Sequence, residues 1–251
     1  QGKFDEVRTL QERALAMARD TGYRRLEGRA LGNLGIFHAE QGRLAVARAH
    51  FEEALAIHRE VGNRYMEGID TSNLGSVCRE LGRADEAKRY CELALAIDRE
   101  VGNRRDEGIV TTNLALLCVD LGQHEEARAH FLSALAAARE VGDRRIEGTA
   151  LGMCAELLRD QGHVEEAIAH CEQALVLDRA VGNRHQEGVV LGTLGELLAT
   201  RGNFAEARDA LRVGDDLLRD VGAGLARATL LSQSASVEAA AGDPVAANAA
   251  L

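Results

Sequence analysis

Between Ala84 and Val101 the apolar positions fall at Ala87, Cys91, Ala94, Leu95, Ile97 and Val101, and most residues between them are charged. Steps of three and four place those side chains on one stripe of an α-helix, with the polar residues opposite. The arrangement returns along the whole chain, so the pattern predicts an all-α protein. Such second helices are expected at 44–61, 84–101, 124–141, 164–181 and 204–221, each preceded by a partner at 24–41, 64–81, 104–121, 144–161 and 184–201. Residues 3–21 read as the second helix of a pair whose first is missing, and 225–241 as a sixth first helix before a truncated piece from Pro244. At ~1.5 Å per residue each helix is about 26 Å long.

Glycine punctuates this pattern. Gly22, Gly62, Gly102, Gly142, Gly182 and Gly222 form one column, and Gly42, Gly82, Gly122, Gly162, Gly202 and Gly242 a second, both with a 40-residue period. A fixed period of this size is the mark of a solenoid, whose units bury their apolar faces only by stacking. The stretch 147–183 serves as its unit, and one array is expected over 1–251: a cut repeat at 1–21, five complete repeats at 22–221, and a degenerate repeat at 222–251. Gly62, Gly102 and Gly182 can end helices in the left-handed conformation, and Asn63, Asn103, Asp143 and Asn183 can cap the next. Asp243 followed by Pro244 repeats that signal. Gly28, Gly68, Gly108, Gly148 and Gly188 lie inside first helices. A mid-helix glycine costs about 1 kcal/mol relative to alanine, so close approach of neighbouring helices is expected there.

Composition narrows the function classes. The net charge is −10, with no basic run to neutralise phosphates, which argues against duplex nucleic acid as a partner. No stretch of about 18 apolar residues is present to cross a membrane. Only Lys3 and Lys88 among 30 basic residues are lysines, a bias typical of a high-GC bacterial genome. All 5 cysteines sit at positions that are apolar in other copies: Cys91 and Cys171 align with Phe51, and Cys154 with Leu34. They read as core residues of a protein kept in a reducing, cytoplasmic compartment. At both ends the chain breaks inside a repeat, as expected of a fragment of something longer.

The residues resemble the tetratricopeptide repeat. Its pattern appears as Leu31, Leu34, Gly35 and His38 followed by Ala47, Phe51 and Ala54, and again as Thr111, Leu114, Ala115 and Cys118 followed by Ala127, Phe131 and Ala134. The leading aromatic is replaced by Leu or Thr, and the unit is lengthened to 40 residues. In this the chain is similar to the long repeats of Pins-type spindle-orientation adaptors, to arrays in bacterial multidomain regulators, and more distantly to kinesin light chains. The resemblance implies a right-handed superhelix of antiparallel helix pairs, about six repeats, whose first helices line a concave groove for a peptide. It implies no reaction and no cofactor.

On that reading the groove positions include Arg29, Asn33, Ile36, Ile69, Asn73, Ser76, Ile109, Asn113, Leu116, Glu156, Thr193 and Glu196. Asn33, Asn73 and Asn113 form a ladder, broken at Met153 and Thr193, and a carboxamide can bond a peptide backbone of any sequence. The alternative is that these amides bond the next repeat. Glu40, Glu80, Asp120 and Asp160 recur at first-helix ends, where ion pairs to Arg43, Arg83 or the Arg59, Arg99, Arg139 and Arg179 column are expected. His50, His130 and His170 share a column read as a solvated face. Neither a zinc motif nor a phosphate loop nor a nucleophile turn is present, so no catalysis and no metal are expected. Gly214, Asp215, Ser234 and Glu238 break the pattern near the carboxyl end, which reads either as a capping repeat, favoured by Ser232, Ser234 and Ser236, or as a worn unit facing another domain. The expected function is a protein-interaction module of a bacterial regulator. The alternative is a scaffold that self-associates by end-to-end stacking.

Overall fold

The stripes fold as the pattern predicts, to within a residue at each end. The computed structural model describes residues 2–243, with side chains from Arg8 onward. Among these residues there are twelve helices and no strand: α1 (Gly2–Thr21), α2 (Arg24–Glu40), α3 (Leu44–Glu60), α4 (Arg64–Glu80), α5 (Ala84–Val101), α6 (Arg104–Asp120), α7 (His124–Val141), α8 (Arg144–Asp160), α9 (Val164–Val181), α10 (Arg184–Thr200), α11 (Phe204–Asp220) and α12 (Gly224–Ala240). Consecutive helices pack in pairs, giving about six repeats. Pro244 and the piece that follows it lie outside the described residues.

The contacts define two compact units, one ending at His130 and one beginning at Phe131, so that the division falls within α7. In the first unit α2 packs on α3, α4 on α5, and the first helices α2, α4 and α6 touch in series. Its core is assembled from Leu31, Leu34, Ala54 and Ile57, then Phe51, Leu55, Leu74 and Val77, then Cys91, Ala94, Val110 and Leu114. In the second unit α8, α10 and α12 form the corresponding series, and Leu211, Leu218, Leu230 and Val237 are buried between α11 and its neighbours. All five cysteines are buried and none forms a disulfide, as the apolar column requires. Burial pushes the thiols of Cys91 and Cys171 up to about 12, which keeps them as neutral core groups.

The turns follow their predicted chemistry with one exception. Gly102 and Gly182 take φ of +70° and +68°, and the amides of Asn103 and Asn183 donate to the Asp98 and Asp178 carbonyls at 2.8 and 2.9 Å. Asn63 and Asn103 accept from Met66 and Asp106 amides, and Asp143 from those of Arg145 and Ile146. Asn183 does not cap with its side chain; its Nδ2 instead donates to Asp178 Oδ1 at 3.1 Å. The equivalent contact from Asn103 to Asp98 is longer, 3.5 Å, and Asn103 keeps its cap.

The mid-helix glycines do mark close approach, and a partner's side chain is what presses on them. A Cβ at Gly28 would meet His58 Cε1 at 2.7 Å, at Gly68 Asp98 Oδ1 at 2.9 Å, at Gly148 Asp178 Oδ1 at 2.9 Å, and at Gly188 Leu218 Cγ at 2.7 Å. Thus a column of buried groups, His58, Asp98 and Asp178, each fully excluded from solvent, sits under the glycines of the preceding helix. Burial, helped by the Asp106 and Glu107 carboxylates and opposed by the Asn103 amide, pushes Asp98 up to about 7. Asp178 rises to about 6, mainly by burial.

Three charge expectations are corrected. The arginines that end second helices pair with the first-turn glutamates eight residues on: Arg59 with Glu67 at 2.9 Å, Arg139 with Glu147 at 2.7 Å, Arg179 with Glu187 at 2.6 Å. In the acidic column at first-helix ends, Asp120 pairs with Arg79 at 2.9 Å and Asp160 with its neighbour Arg159, both first-helix arginines and neither of them in the columns expected. His50, His130 and His170 are half-buried, not solvated; the His50 ring stacks on His38 at 5.3 Å, and His170 Nδ1 lies 2.9 Å from the Glu166 carbonyl. At the carboxyl end the departures from pattern have packing reasons. Gly214 lets Leu230 and the Gly188 carbonyl approach, while Asp215 pairs with Arg227 at 2.6 Å and Glu238 with Arg208 at 2.6 Å.

Candidate functional site

The candidate positions lie on the first helices and fall into two sets, one in each unit. Helix periodicity places residues at 29, 33 and 36 of α2, and their equivalents in α4 and α6, on one face of the first unit. Arg29, Asn33 and Ile36 are exposed there, whereas Ile69, Asn73, Ser76, Ile109, Asn113 and Leu116 are half-buried. Between them Ser72 and Thr112 are buried, and the Thr112 hydroxyl donates to the Gly108 carbonyl of its own helix at 2.9 Å. Ser76 likewise donates to the Ser72 carbonyl.

The amides of the ladder divide. Asn33 Nδ2 donates to Gln11 Oε1 on α1 at 3.1 Å, the inter-repeat bond expected if the ladder only joins repeats. Asn73 and Asn113 make no hydrogen bond among the described residues and keep both donors and the acceptor available.

The second unit holds a defined cleft of about 430 Å³. Glu156 and Arg159 of α8, His185, Val189 and Thr193 of α10, and Leu225, Ala226, Thr229, Leu230 and Gln233 of α12 line it. Its charged floor is anchored. Arg159 Nη1 bonds Glu196 Oε2 at 2.7 Å, its Nε and Nη2 hold Asp160 at 3.0 and 2.9 Å, and Gln233 Nε2 donates to Glu196 Oε2 at 3.0 Å. Glu196 thus receives a guanidinium and an amide on one oxygen, and the guanidinium is shared between two carboxylates. Glu156, one turn before Arg159, has no hydrogen-bond partner among the described residues. Its carboxyl is pushed up by burial, with Arg159 opposing and the Asp160 and Glu196 carboxylates adding to the rise.

The structure brings Glu156, Thr193 and Glu196 together, as spacing implies. Thr193, only 1 % exposed, contributes a wall and little accessible surface. Sequence reasoning missed the α12 wall of Leu225, Ala226, Thr229, Leu230 and Gln233, because the broken pattern of that repeat reads as a cap. The available signal was the apolar Leu225, Ala226 and Leu230 at the start of the helix. Among the described residues no group of three metal-ligating side chains is gathered, and no helix is long and apolar enough to cross a membrane.

Paired helices in 40-residue units, with an open face on the first helices, define a helical repeat protein. The family model for the tetratricopeptide repeat matches residues 1–60, 69–140 and 145–214, and the chain belongs to that family. No curated protein sequence matches it. Among solved structures it is similar to BtubC from P. vanneervenii, at 18 % identity and a TM-score of 0.70 over 87 % of this chain and 92 % of that one. It is similar to a Rap protein complexed with competence and sporulation factor, at 18 % identity and a TM-score of 0.76 over 90 % of this chain and 63 % of that one. A signal transduction ATPase with numerous domains and a tetratricopeptide repeat sensor, from Pyrococcus horikoshii, matches at 17 % identity and a TM-score of 0.65, over 93 % of this chain and 38 % of that one. The chain therefore spans about three fifths of the Rap protein and two fifths of the ATPase.

Proposed function

We propose that the chain is a protein-interaction module that holds a partner's peptide segment on its first helices, with the cleft between α8, α10 and α12 as the anchor. The observation that carries this reading is Glu156, a carboxylate without a partner beside an apolar wall of Val189, Leu225, Ala226 and Leu230. Such a group favours a segment that presents a cation, lysine or arginine, next to apolar side chains. The cation lets Glu156 ionise and replaces water at a site where burial opposes charge. In the first unit Asn73 and Asn113, with unused donors, fit recognition of a peptide backbone. A Rap structure that holds a competence and sporulation factor, and a signalling ATPase that carries such repeats as a sensor, support a place for this module inside a larger regulatory protein, which we take to be bacterial from the sequence's arginine bias.

The test is a screen of short peptides with a basic residue between apolar ones, followed by calorimetry on the tightest binder. Glu156→Gln, which keeps size and removes charge, is expected to weaken that peptide roughly tenfold to a hundredfold, as for other charged hydrogen-bonded contacts. A norleucine replacement of the peptide's basic residue should bind the two proteins alike. Equal affinity of the basic peptide for both proteins would overturn the anchor. Asn73→Ala and Asn113→Ala should each weaken, by a few fold, a peptide that binds the first unit.

A further inference from the structure

Repeats allow a comparison that a single domain does not: a residue absent from the same column in every other copy is not required by the stack, even where, like His58 beneath Gly28, it packs in it. In the first unit three such departures meet. Position 29 is arginine, where the later units have Ile69, Ile109, Thr149 and Val189. Position 58 is histidine, where they have Asp98, Ala138, Asp178 and Leu218. Position 70 is aspartate, where the other copies have Ala30, Val110, Ala150 and Val190.

The His58 ring is fully buried, neither of its nitrogens has a hydrogen-bond partner, and it lines a cavity of about 280 Å³. The other walls are Tyr23, Arg25, Leu26, Arg29, Asn63 and Met66. Arg25 and Arg29 are one helical turn apart, which puts both guanidiniums on one face of α2. Neither makes an ion pair or hydrogen bond among the described residues, although neighbouring Arg19 and Arg24 are each held by two glutamates. Asn63 uses its Oδ1 to accept from the Met66 amide and keeps its Nδ2 to donate. No carboxylate lines the cavity, in a chain with 40 acidic residues against 30 basic ones. Behind the wall Asp70 places its Oδ2 3.5 Å from His58 Nε2. Burial pushes that carboxyl up to about 7, so near neutrality much of it is uncharged.

We infer that this cavity is a binding site for a dianionic phosphate group, a phosphate monoester carried by a partner or ligand. Two unpaired guanidiniums with no opposing carboxylate balance a charge near −2, which a phosphate monoester carries at neutral pH and a single carboxylate does not. The donors suit its oxygens: forked N–H groups from Arg25 and Arg29, the Asn63 amide and the Tyr23 hydroxyl, with the buried His58 ring behind them as a reporter of occupancy. The volume is several times the ~30 Å³ share of one water, enough for the group with part of its shell. This site is independent of the α8/α10/α12 cleft and involves none of its residues.

The test is a titration of the ¹³C/¹⁵N-histidine-labelled chain with inorganic phosphate, phosphoserine and acetate at constant ionic strength, with ring resonances observed by NMR. Phosphate and phosphoserine should shift the His58 ring saturably, and acetate should bind roughly tenfold more weakly or not at all. The Arg25→Ala/Arg29→Ala double variant removes two exposed side chains, so it should keep the wild-type melting curve and lose the phosphate response at least tenfold. Saturation by acetate at the same concentration as phosphate would overturn the dianion assignment. No saturable shift of His58, or an undiminished response in the double variant, would overturn the site. Phosphoserine binding without free phosphate, lost in the double variant, would support it and place the affinity in the ester's carrier.

Discussion

Phe51→Ala is expected to remove about 3–5 kcal/mol from the stability of the first unit. The ring is 1 % exposed and packs with Ala47, Leu55, Leu74 and Val77, flanked by Ala39, Leu44 and Tyr90. It also fills the space that glycine leaves at position 35, where a Cβ would meet Phe51 Cε1 at 2.6 Å. The same glycine-to-second-helix contact recurs as Gly75 on Cys91 Sγ and Gly195 on Leu211 Cγ, each at 2.7 Å. Ala115 and Ala155 stand at the glycine's position in the copies that carry Phe131 and Cys171, so the column accepts a large or a small side chain, and the tight glycine contact belongs to these three copies. Gly35→Ala alone should destabilise because a packed ring cannot move aside. Placed in the Phe51→Ala background it should cost less, and a double-mutant cycle should show coupling on the order of 1 kcal/mol. Urea unfolding followed by circular dichroism reads all three variants. Additive losses would show that the ring does not rest on Gly35.

The contacts at Gly28, Gly68, Gly148 and Gly188 were legible in the sequence only as a rule about glycine. A repeated mid-helix Gly must recover about 1 kcal/mol somewhere, so close approach was foreseeable. What approaches was not, since the partner lies some thirty residues away in the second helix and is histidine, aspartate or leucine by turns. The helices themselves were legible because each apolar stripe is long, regular and closed by a glycine at positive φ. Ion pairing was misread for a geometric reason. Arg59 and Glu67 are eight residues apart across a tight turn, which brings a helix end beside the start of the next, and no helical spacing rule describes that pair. Along the candidate face, Glu156, Thr193 and Glu196 followed from periodicity, whereas the α12 wall was hidden by Gly214 and Asp215. Those residues look like decay until Leu230 and Arg227 are seen to need them.

Asp98→Asn is expected to stabilise the protein at pH 8 and to leave it unchanged at pH 4. Asp98 is fully buried, its Oδ2 has no partner, and its Oδ1 receives only the Asn103 amide, at 3.5 Å. Desolvation, with the Asp106 and Glu107 carboxylates adding repulsion, lifts the folded-state value to about 7, against about 3.9 for an unfolded aspartate. The folded chain thus binds more protons than the unfolded chain between those limits, and stability must fall as pH rises through them. Below about pH 4 both states are protonated and there is no penalty; above about 7 the folded state carries the buried charge and the penalty is complete. Asparagine is neutral throughout and can still accept from Asn103, so the variant should gain progressively on the wild type across this window. The gain at pH 8 is on the order of 2–4 kcal/mol, since a tenfold change in proton affinity corresponds to about 1.4 kcal/mol. His58, Asp70 and Asp178 titrate in both proteins and drop out of the difference. Asp178→Asn in the second unit should behave alike over a narrower window ending near pH 6, with a smaller gain. Thermal melts of wild type and variant at half-unit steps from pH 4 to 8 measure the difference. A flat difference across that range would mean that Asp98 is charged in the fold at every pH, and that the glycine above it shelters a carboxylate and not a carboxylic acid.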